Sequence, residues 1–68
     1  MANINEKLGK RIRAIRRAKG MSQEELAYQS GTDYSYLNEI EAGKRNPSVK
    51  RIETIAKALK VSIKDLFD

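Results

Sequence analysis

Apolar side chains recur at helical spacing along the first part of the chain. Four of them follow one another at intervals of four, four and three residues, which places them on one face of a helix: Ile4, Leu8, Ile12 and Ile15. Asn3 is a candidate cap, because Glu6 follows three residues later, and Gly20 is a typical helix stop. The pattern predicts a first helix that ends before Gly20.

Two shorter helices are predicted in the middle of the chain. Ser22 and Glu25 have the spacing of a capping box, and Gly31 ends the helix that they begin. Asp33 is the candidate cap of a third helix, which ends before Gly43. The apolar residues on the inner side of this third helix are Leu37 and Ile40.

The last part of the chain predicts one longer helix and one short one. Ser48 caps the longer helix, and its core side consists of Val49, Ile52, Ile55, Ala56 and Leu59. Ser62 and Asp65 form a capping box for the short fifth helix. No segment alternates with period two, and the one proline lies between helices. The predicted fold is therefore all-α, a compact arrangement of five helices.

Composition restricts the classes of function. A chain of 68 residues supports one core, so we predict one domain over residues 1–68. Because the sequence contains neither cysteine nor histidine, it lacks the usual metal ligands and the usual general base. We predict no metal site, no cofactor and no enzymatic activity. The N-terminal stretch MANINEKLGKRIR has no apolar run, so we expect a soluble, cytoplasmic protein without a membrane segment.

Charge is distributed unevenly along the sequence. The net charge is +5, yet no lysine or arginine stands between Gly20 and Gly43. That segment carries five acids instead: Glu24, Glu25, Asp33, Glu39 and Glu41. Two of them lie in the first turn of the second helix, where the helix dipole favours negative charge. The basic balance favours an anionic partner, and the positive charge stands on both sides of the acidic segment.

The second and third helices are joined by SGTD, a segment with room only for a sharp turn. Two short helices joined in this way, at about residues 22–41, have the geometry of a helix-turn-helix. The wider string GMSQEELAYQSGTDYSYLNEIEAGKRNPS resembles the phage repressor and Cro family of DNA-binding domains. Within that family the sequence looks most similar to controller proteins of restriction-modification systems and to small bacterial repressors. The resemblance extends from LGKRIRAIRRAKG to ALKVSIKDLF.

The resemblance implies a homodimer that places the third helix of each subunit in successive major grooves of double-stranded DNA, about 34 Å apart. It implies that the following residues lie at the DNA: Gln23, Asp33, Tyr34, Ser35, Tyr36, Asn38, Glu39, Lys44, Arg45 and Asn46. Of these, Gln23 and the loop residues 44–46 match phosphate contacts. The positions that meet base edges are Tyr34, Ser35, Asn38 and Glu39. The resemblance also implies a partly buried ion pair between Arg16 and Glu41.

Several of these positions have a second interpretation. The carboxylate of Glu39 is either an acceptor for a cytosine amine or a solvated helix side chain. Tyr34 and Tyr36 either contact DNA or pack against the core. The basic face of the first helix is largely a solvated surface in folds of this kind.

The C-terminal end predicts a surface for self-association. The fifth helix is too short to bury all of its apolar side chains against so small a core. Apolar surface that remains outside in a monomer usually marks a partner site. We therefore predict a homodimer interface built from Val61, Ile63, Leu66 and Phe67.

Two functions of different classes compete for this sequence. The first is a dimeric, sequence-specific transcriptional regulator that needs no small-molecule ligand. The second is a protein-interaction adaptor that uses the same scaffold without specific DNA binding. An adaptor is expected to expose aliphatic anchors, whereas the outward side chains of the third helix are polar or amphipathic.

Overall fold

The computed structural model describes residues 3–67 as a bundle of short helices. The helices are α1 (Ile4–Ala18), α2 (Gln23–Ser30), α3 (Tyr34–Glu41) and α4 (Val49–Leu59), and a 3₁₀ helix (Ile63–Leu66) follows. Residues 3–67 contain no β-strand. The all-α prediction is confirmed, with the difference that the fifth element is one 3₁₀ turn.

Each element begins at a residue whose side chain accepts a hydrogen bond from the backbone three positions later. These caps are Asn3, Ser22, Asp33, Ser48 and Ser62. Helices α2 and α3 have eight residues each, a length at which an isolated helix is marginal in water. A cap contributes about 1 kcal/mol, so these two helices depend on their caps and on packing against the rest of the chain.

The core is formed by apolar side chains from every element. Its buried members are Leu8, Ile12, Leu26, Ala27, Leu37, Ile40, Ile52, Ile55, Ala56, Leu59 and Leu66. Two residues that the spacing assigned to the core are exposed: Ile4 at 66% and Val49 at 75%. Each is the first residue of its helix, so it projects beyond the end of the packed layer.

The turn between α2 and α3 is fixed by side chains on both sides. Gly31 has a positive φ of 65°, a conformation that glycine adopts without steric cost. The hydroxyl of Ser30 donates to the carbonyl oxygen of Leu26 at 2.6 Å and accepts from the Thr32 hydroxyl at 2.9 Å. From α4, Arg51 Nη1 donates to the same Thr32 oxygen at 3.0 Å. These bonds determine where α3 begins.

The 3₁₀ helix divides its apolar side chains between the core and the surface. Leu66 is buried in the core at 1% exposure, whereas Phe67 is 48% exposed and Ile63 is half-buried. The assignment of Leu66 to the dimer interface is therefore wrong, because its side chain already packs inside the monomer. The reasoning that one short turn cannot bury all three side chains agrees with the exposure of Phe67.

Helix α1 crosses the C-terminal end of α3 at a glycine. A β-carbon added at Gly9 would overlap the carbonyl oxygen of Ile40 and lie 2.6 Å from that of Glu41. Both contacts are with backbone, which cannot rotate away. The crossing therefore requires a residue without a side chain.

We expect Gly9→Ala to lower the free energy of unfolding by about 1–3 kcal/mol, as overpacking does in a dense core. At Lys10, the exposed neighbouring position, alanine should instead be more stabilising than glycine by about 1 kcal/mol. Urea denaturation of the Gly/Ala pair at each position measures both differences. Alanine favoured at both positions would contradict the close crossing.

Candidate nucleic-acid interface

Helix α3 presents one polar face and one buried face. Its buried residues are Leu37, Ile40 and Glu41. Its exposed residues include Tyr34, Ser35 and Asn38, and the Tyr34 side chain is half-exposed at 50%. This face carries hydroxyl and amide groups, which can both donate and accept hydrogen bonds at the edges of bases.

Tyr36 and Glu39 are less accessible than Tyr34, Ser35 and Asn38. Tyr36 packs partly against the core, so the packing interpretation applies to it as well as the contact interpretation. Glu39 Oε1 accepts a hydrogen bond from Arg45 Nε at 2.9 Å, and the Arg45 guanidinium lies 5.6 Å from the centre of the Tyr36 ring. Neither interpretation of Glu39 included this contact with Arg45 of the loop.

The end of α3 is attached to α1 by a buried ion pair. Arg16 Nε donates to Glu41 Oε2 at 2.8 Å, and Arg16 Nη2 donates to Glu41 Oε1 at 3.0 Å. The remaining terminal nitrogen of Arg16 donates to the carbonyl oxygen of Met21 at 2.9 Å. Both side chains are buried, and the fork of the guanidinium matches the two carboxylate oxygens.

Two further side chains complete the surroundings of this carboxylate. Gln23 Nε2 donates to Glu41 Oε1 at 3.0 Å and to Asn38 Oδ1 at 3.3 Å. Arg13 Nε lies 3.4 Å from the same Glu41 oxygen. Glu41 therefore links α3 to α1 and to Gln23, the first residue of α2. Gln23 in turn contacts Asn38 on the exposed face of α3. Arg13 was not predicted here, although its place one turn before Arg16 puts both on one side of α1.

Two opposing effects act on the pKa of Glu41. Burial is the largest effect and alone would raise it, because a charged carboxylate is costly out of water. The hydrogen bonds from Arg16 and Gln23, the charge of Arg16 and the hydrogen bond from Arg13 together outweigh burial. The pKa of Glu41 is consequently lowered, and the carboxylate stays ionised in the folded protein.

The loop after α3 carries the other predicted phosphate contacts. Lys44, Arg45 and Asn46 are exposed, and the backbone N–H of Lys44 donates to the Glu39 carbonyl oxygen at 2.9 Å. That bond ties the start of the loop to the last turn of α3. Arg51, on α4, contacts Thr32 in the turn between α2 and α3, a contact that the sequence did not predict.

Residues 3–67 contain neither a cluster of metal-ligating side chains nor a helix that could span a membrane. No group of three or more acidic side chains is gathered closely enough to hold a metal ion. No helix in this part of the chain has the length and apolar character needed to cross a bilayer.

Comparison with known proteins places this geometry in a family. Residues 12–66 match the sequence model of the helix-turn-helix family. The chain belongs to the helix-turn-helix family. The resemblance seen in the sequence is thereby confirmed, and α2 and α3 lie where the motif is predicted, at about residues 22–41.

Several relatives of this helix-turn-helix protein are restriction-modification controllers. The control protein C.BamHI of Bacillus amyloliquefaciens is 46% identical over 67 residues, which are 97% of this chain and 83% of that protein. The crystal structure of the controller protein C.AhdI from Aeromonas hydrophila has a TM-score of 0.91 at 46% identity, covering 93% of this chain and 96% of that one.

A third relative has been solved with its target. The restriction-modification controller C.Esp1396I, as a tetramer in complex with its natural 35 base-pair operator, has a TM-score of 0.84 at 37% identity over the full length of both chains. At these levels of identity, this chain and these proteins share one fold and belong to one family.

We expect Glu41→Gln to lower the free energy of unfolding by about 3 kcal/mol, because it leaves the buried charge of Arg16 without its counter-ion. Glu39→Gln is the matched control on the same helix. It breaks an exposed pair and should change stability by less than about 1 kcal/mol. Urea denaturation followed by circular dichroism at neutral pH measures both variants.

The same denaturation experiment, repeated at acidic pH, gives a second measurement. Since the pKa of Glu41 is lowered on folding, its contribution is present at neutral pH and is lost as the pH falls through the folded-state pKa. Wild type and Glu41→Gln should therefore approach each other in stability in acid. Equal stabilities of the two variants at neutral pH would show that the pair does not hold α1 and α3 together.

Proposed function

We propose that this protein is a transcriptional regulator that binds palindromic operator DNA as a homodimer, with α3 of each subunit in the major groove. The observation that carries the proposal is the exposed polar face of α3, held by a buried Glu41 that contacts α1 and α2. A reading helix needs this arrangement, because base contacts discriminate only when their donors and acceptors are fixed in position.

The proposal divides the predicted contacts into two classes. Tyr34, Ser35 and Asn38 read base edges, and Glu39 joins them when a cytosine amine takes the place of Arg45 at its carboxylate. The phosphate contacts come from Gln23 at the start of α2 and from the loop residues 44–46. Asp33 stays at the edge of the interface, because its carboxylate caps α3 through the N–H of Tyr36.

The uneven charge distribution is consistent with this division. Affinity for DNA comes mainly from phosphate neutralisation, whereas sequence choice comes mainly from the grooves. The basic side chains of α1, the loop and α4 stand on both sides of the acidic reading segment in the sequence. The acidic side chains of that segment cap helices, lie in the first turn of a helix or form ion pairs, so they do not form a free negative surface.

Restriction-modification control is the specific role that we propose, because C.BamHI, C.AhdI and C.Esp1396I are controllers of that kind. The proposal includes one domain over residues 1–68, a cytoplasmic location and no catalytic activity. The adaptor alternative requires aliphatic anchors on the outer face of α3. That face carries none among its exposed residues.

The first test separates base contacts from phosphate contacts. Asn38→Ala should lose about 1–3 kcal/mol of discrimination between operator and scrambled duplex, because an amide that reads a base edge is removed. Lys44→Ala should weaken binding to both duplexes alike and reduce the salt slope by about one. Titrations by fluorescence anisotropy at several salt concentrations measure both quantities, on an operator selected from a random pool. If Asn38→Ala lost the same affinity for both duplexes, Asn38 would not be a base contact.

We also propose a dimer interface formed by the C-terminal residues that the monomer leaves accessible: Val61, Ile63 and Phe67. Val61 and Ile63 pack against the core, and Phe67 is the most exposed of the three at 48%. A two-fold dimer places two α3 helices on one palindrome, which roughly doubles the contact energy with DNA.

Ile63→Asp should convert the protein to a folded monomer with weak operator affinity, because a carboxylate at the centre of the interface would be buried unpaired. Lys64→Asp, which introduces the same residue at the exposed neighbouring position, is the control and should remain dimeric. Sedimentation velocity gives the oligomeric state, and circular dichroism checks the fold. A monomeric wild type would contradict the proposed assembly.

A further inference from the structure

A groove of about 720 Å³ lies between α1 and the C-terminal end of the described chain. Its apolar lining consists of Ile4, Leu8, Ala14, Leu66 and Phe67. Leu8 and Leu66 are buried at 3% and 1% exposure and form its floor. The lining comes from α1 and from the C-terminal end, so the groove is separate from α2 and α3, which carry the proposed reading head.

Two large apolar side chains of this groove are accessible to water in the single chain, and one of them, Phe67, also borders the proposed dimer interface. Ile4 is 66% exposed and Phe67 is 48% exposed, although both are large enough to stabilise a core or an interface. They lie on one surface with the exposed methyl group of Ala14. Single exposed apolar residues are ordinary, whereas several that share one groove mark a surface suited to a partner.

The other side chains that line the groove are all basic. Lys7, Lys10 and Arg11 are exposed, and no acidic residue lines the groove within residues 3–67. Arg11 is held in place, because its Nε donates to the carbonyl oxygen of Asp65 at 2.8 Å. No other hydrogen bond from the Arg11 side chain is found in this part of the chain. An apolar floor with a cationic border is complementary to an apolar stripe flanked by carboxylates.

The dimensions of the groove suit a short helix. From Ile4 to Ala14 the axis of α1 rises by about 15 Å, which is the length of about three helical turns. Apolar residues at positions i, i+4 and i+7 of a partner helix would contact the floor along this length. Acidic residues beside that stripe would then lie next to the basic border.

We propose that this groove binds an acidic amphipathic helix of another protein. The occupant is a different protein because a two-fold contact with a second copy would bring Lys7, Lys10 and Arg11 against their own copies, and like charges in contact disfavour association. The site is independent of DNA binding, since no residue of the base-reading or phosphate-binding sets lines it. A regulator bound to its operator would thereby have a second surface that contacts an acidic partner.

The probe for this site is a synthetic helical peptide of about 14 residues, with leucine on one stripe and glutamate on both sides. Two control peptides carry lysine in place of glutamate or serine in place of leucine. Binding to the full-length ¹⁵N-labelled protein is followed by amide chemical shifts. We expect saturable shifts at residues 4–14 and 62–67 with the acidic peptide, and about tenfold weaker binding with each control peptide.

Matched variants of the protein test the residues of the groove. Lys10→Glu should weaken binding of the acidic peptide by about tenfold, whereas Lys57→Glu, an equal charge change on α4, should have little effect. Ile4→Ser should weaken it without unfolding the protein, because Ile4 is exposed at the start of α1. Circular dichroism and operator binding of each variant show that the fold and the DNA surface are intact.

Three outcomes would overturn the proposal. Equal binding of the glutamate and lysine peptides would remove the charge complementarity. Loss of self-association in Ile4→Ser, measured by sedimentation, would assign the groove to the dimer interface. Chemical-shift changes at residues 4–14 with a short random DNA duplex alone would assign the groove to the DNA surface.

Discussion

The buried pair between Arg16 and Glu41 is the interaction on which the position of α3 depends. The carboxylate of Glu41 receives hydrogen bonds from α1 and from the first residue of α2, so one side chain connects all three helices. An ion pair of this kind adds little net stability compared with apolar packing, but removal of either partner is costly. Its structural effect is to tie the C-terminal end of α3 to α1 and α2.

The two helices of the motif are too short to be stable alone, so the rest of the chain must hold them. Their caps fix where each helix begins, and the contacts of Ser30, Thr32 and Arg51 fix the turn between them. Gly9 allows α1 to lie directly on the last carbonyl groups of α3. The placement of α3 in this small protein is therefore obtained from local hydrogen bonds and one close backbone contact.

The sequence predicted the helices well because capping residues and apolar spacing are local signals. The Asn3, Ser22 and Ser62 boxes all form, and the Arg16–Glu41 pair is present in the structure. The errors concern the ends of elements and contacts between side chains far apart in the sequence. The spacing of residues could not show that Ile4 and Val49 project past the packed layer or that Leu66 is buried. It also could not show that Arg45 donates a hydrogen bond to Glu39. Each of these features depends on the placement of a neighbouring element.

The amide of Gln23 restricts how a phosphate can be received at the start of α2. Its nitrogen has two hydrogens, and the structure directs one to Asn38 and the other to Glu41. A phosphate oxygen offers only lone pairs, so it cannot use the carbonyl oxygen of the same amide. It must either take a hydrogen from those partners or accept from the main-chain N–H groups at the first turn of the helix, which have no partner within an α-helix. A phosphate held by the side chain would therefore release Asn38 or Glu41, whereas backbone contact would leave both of these hydrogen bonds in place.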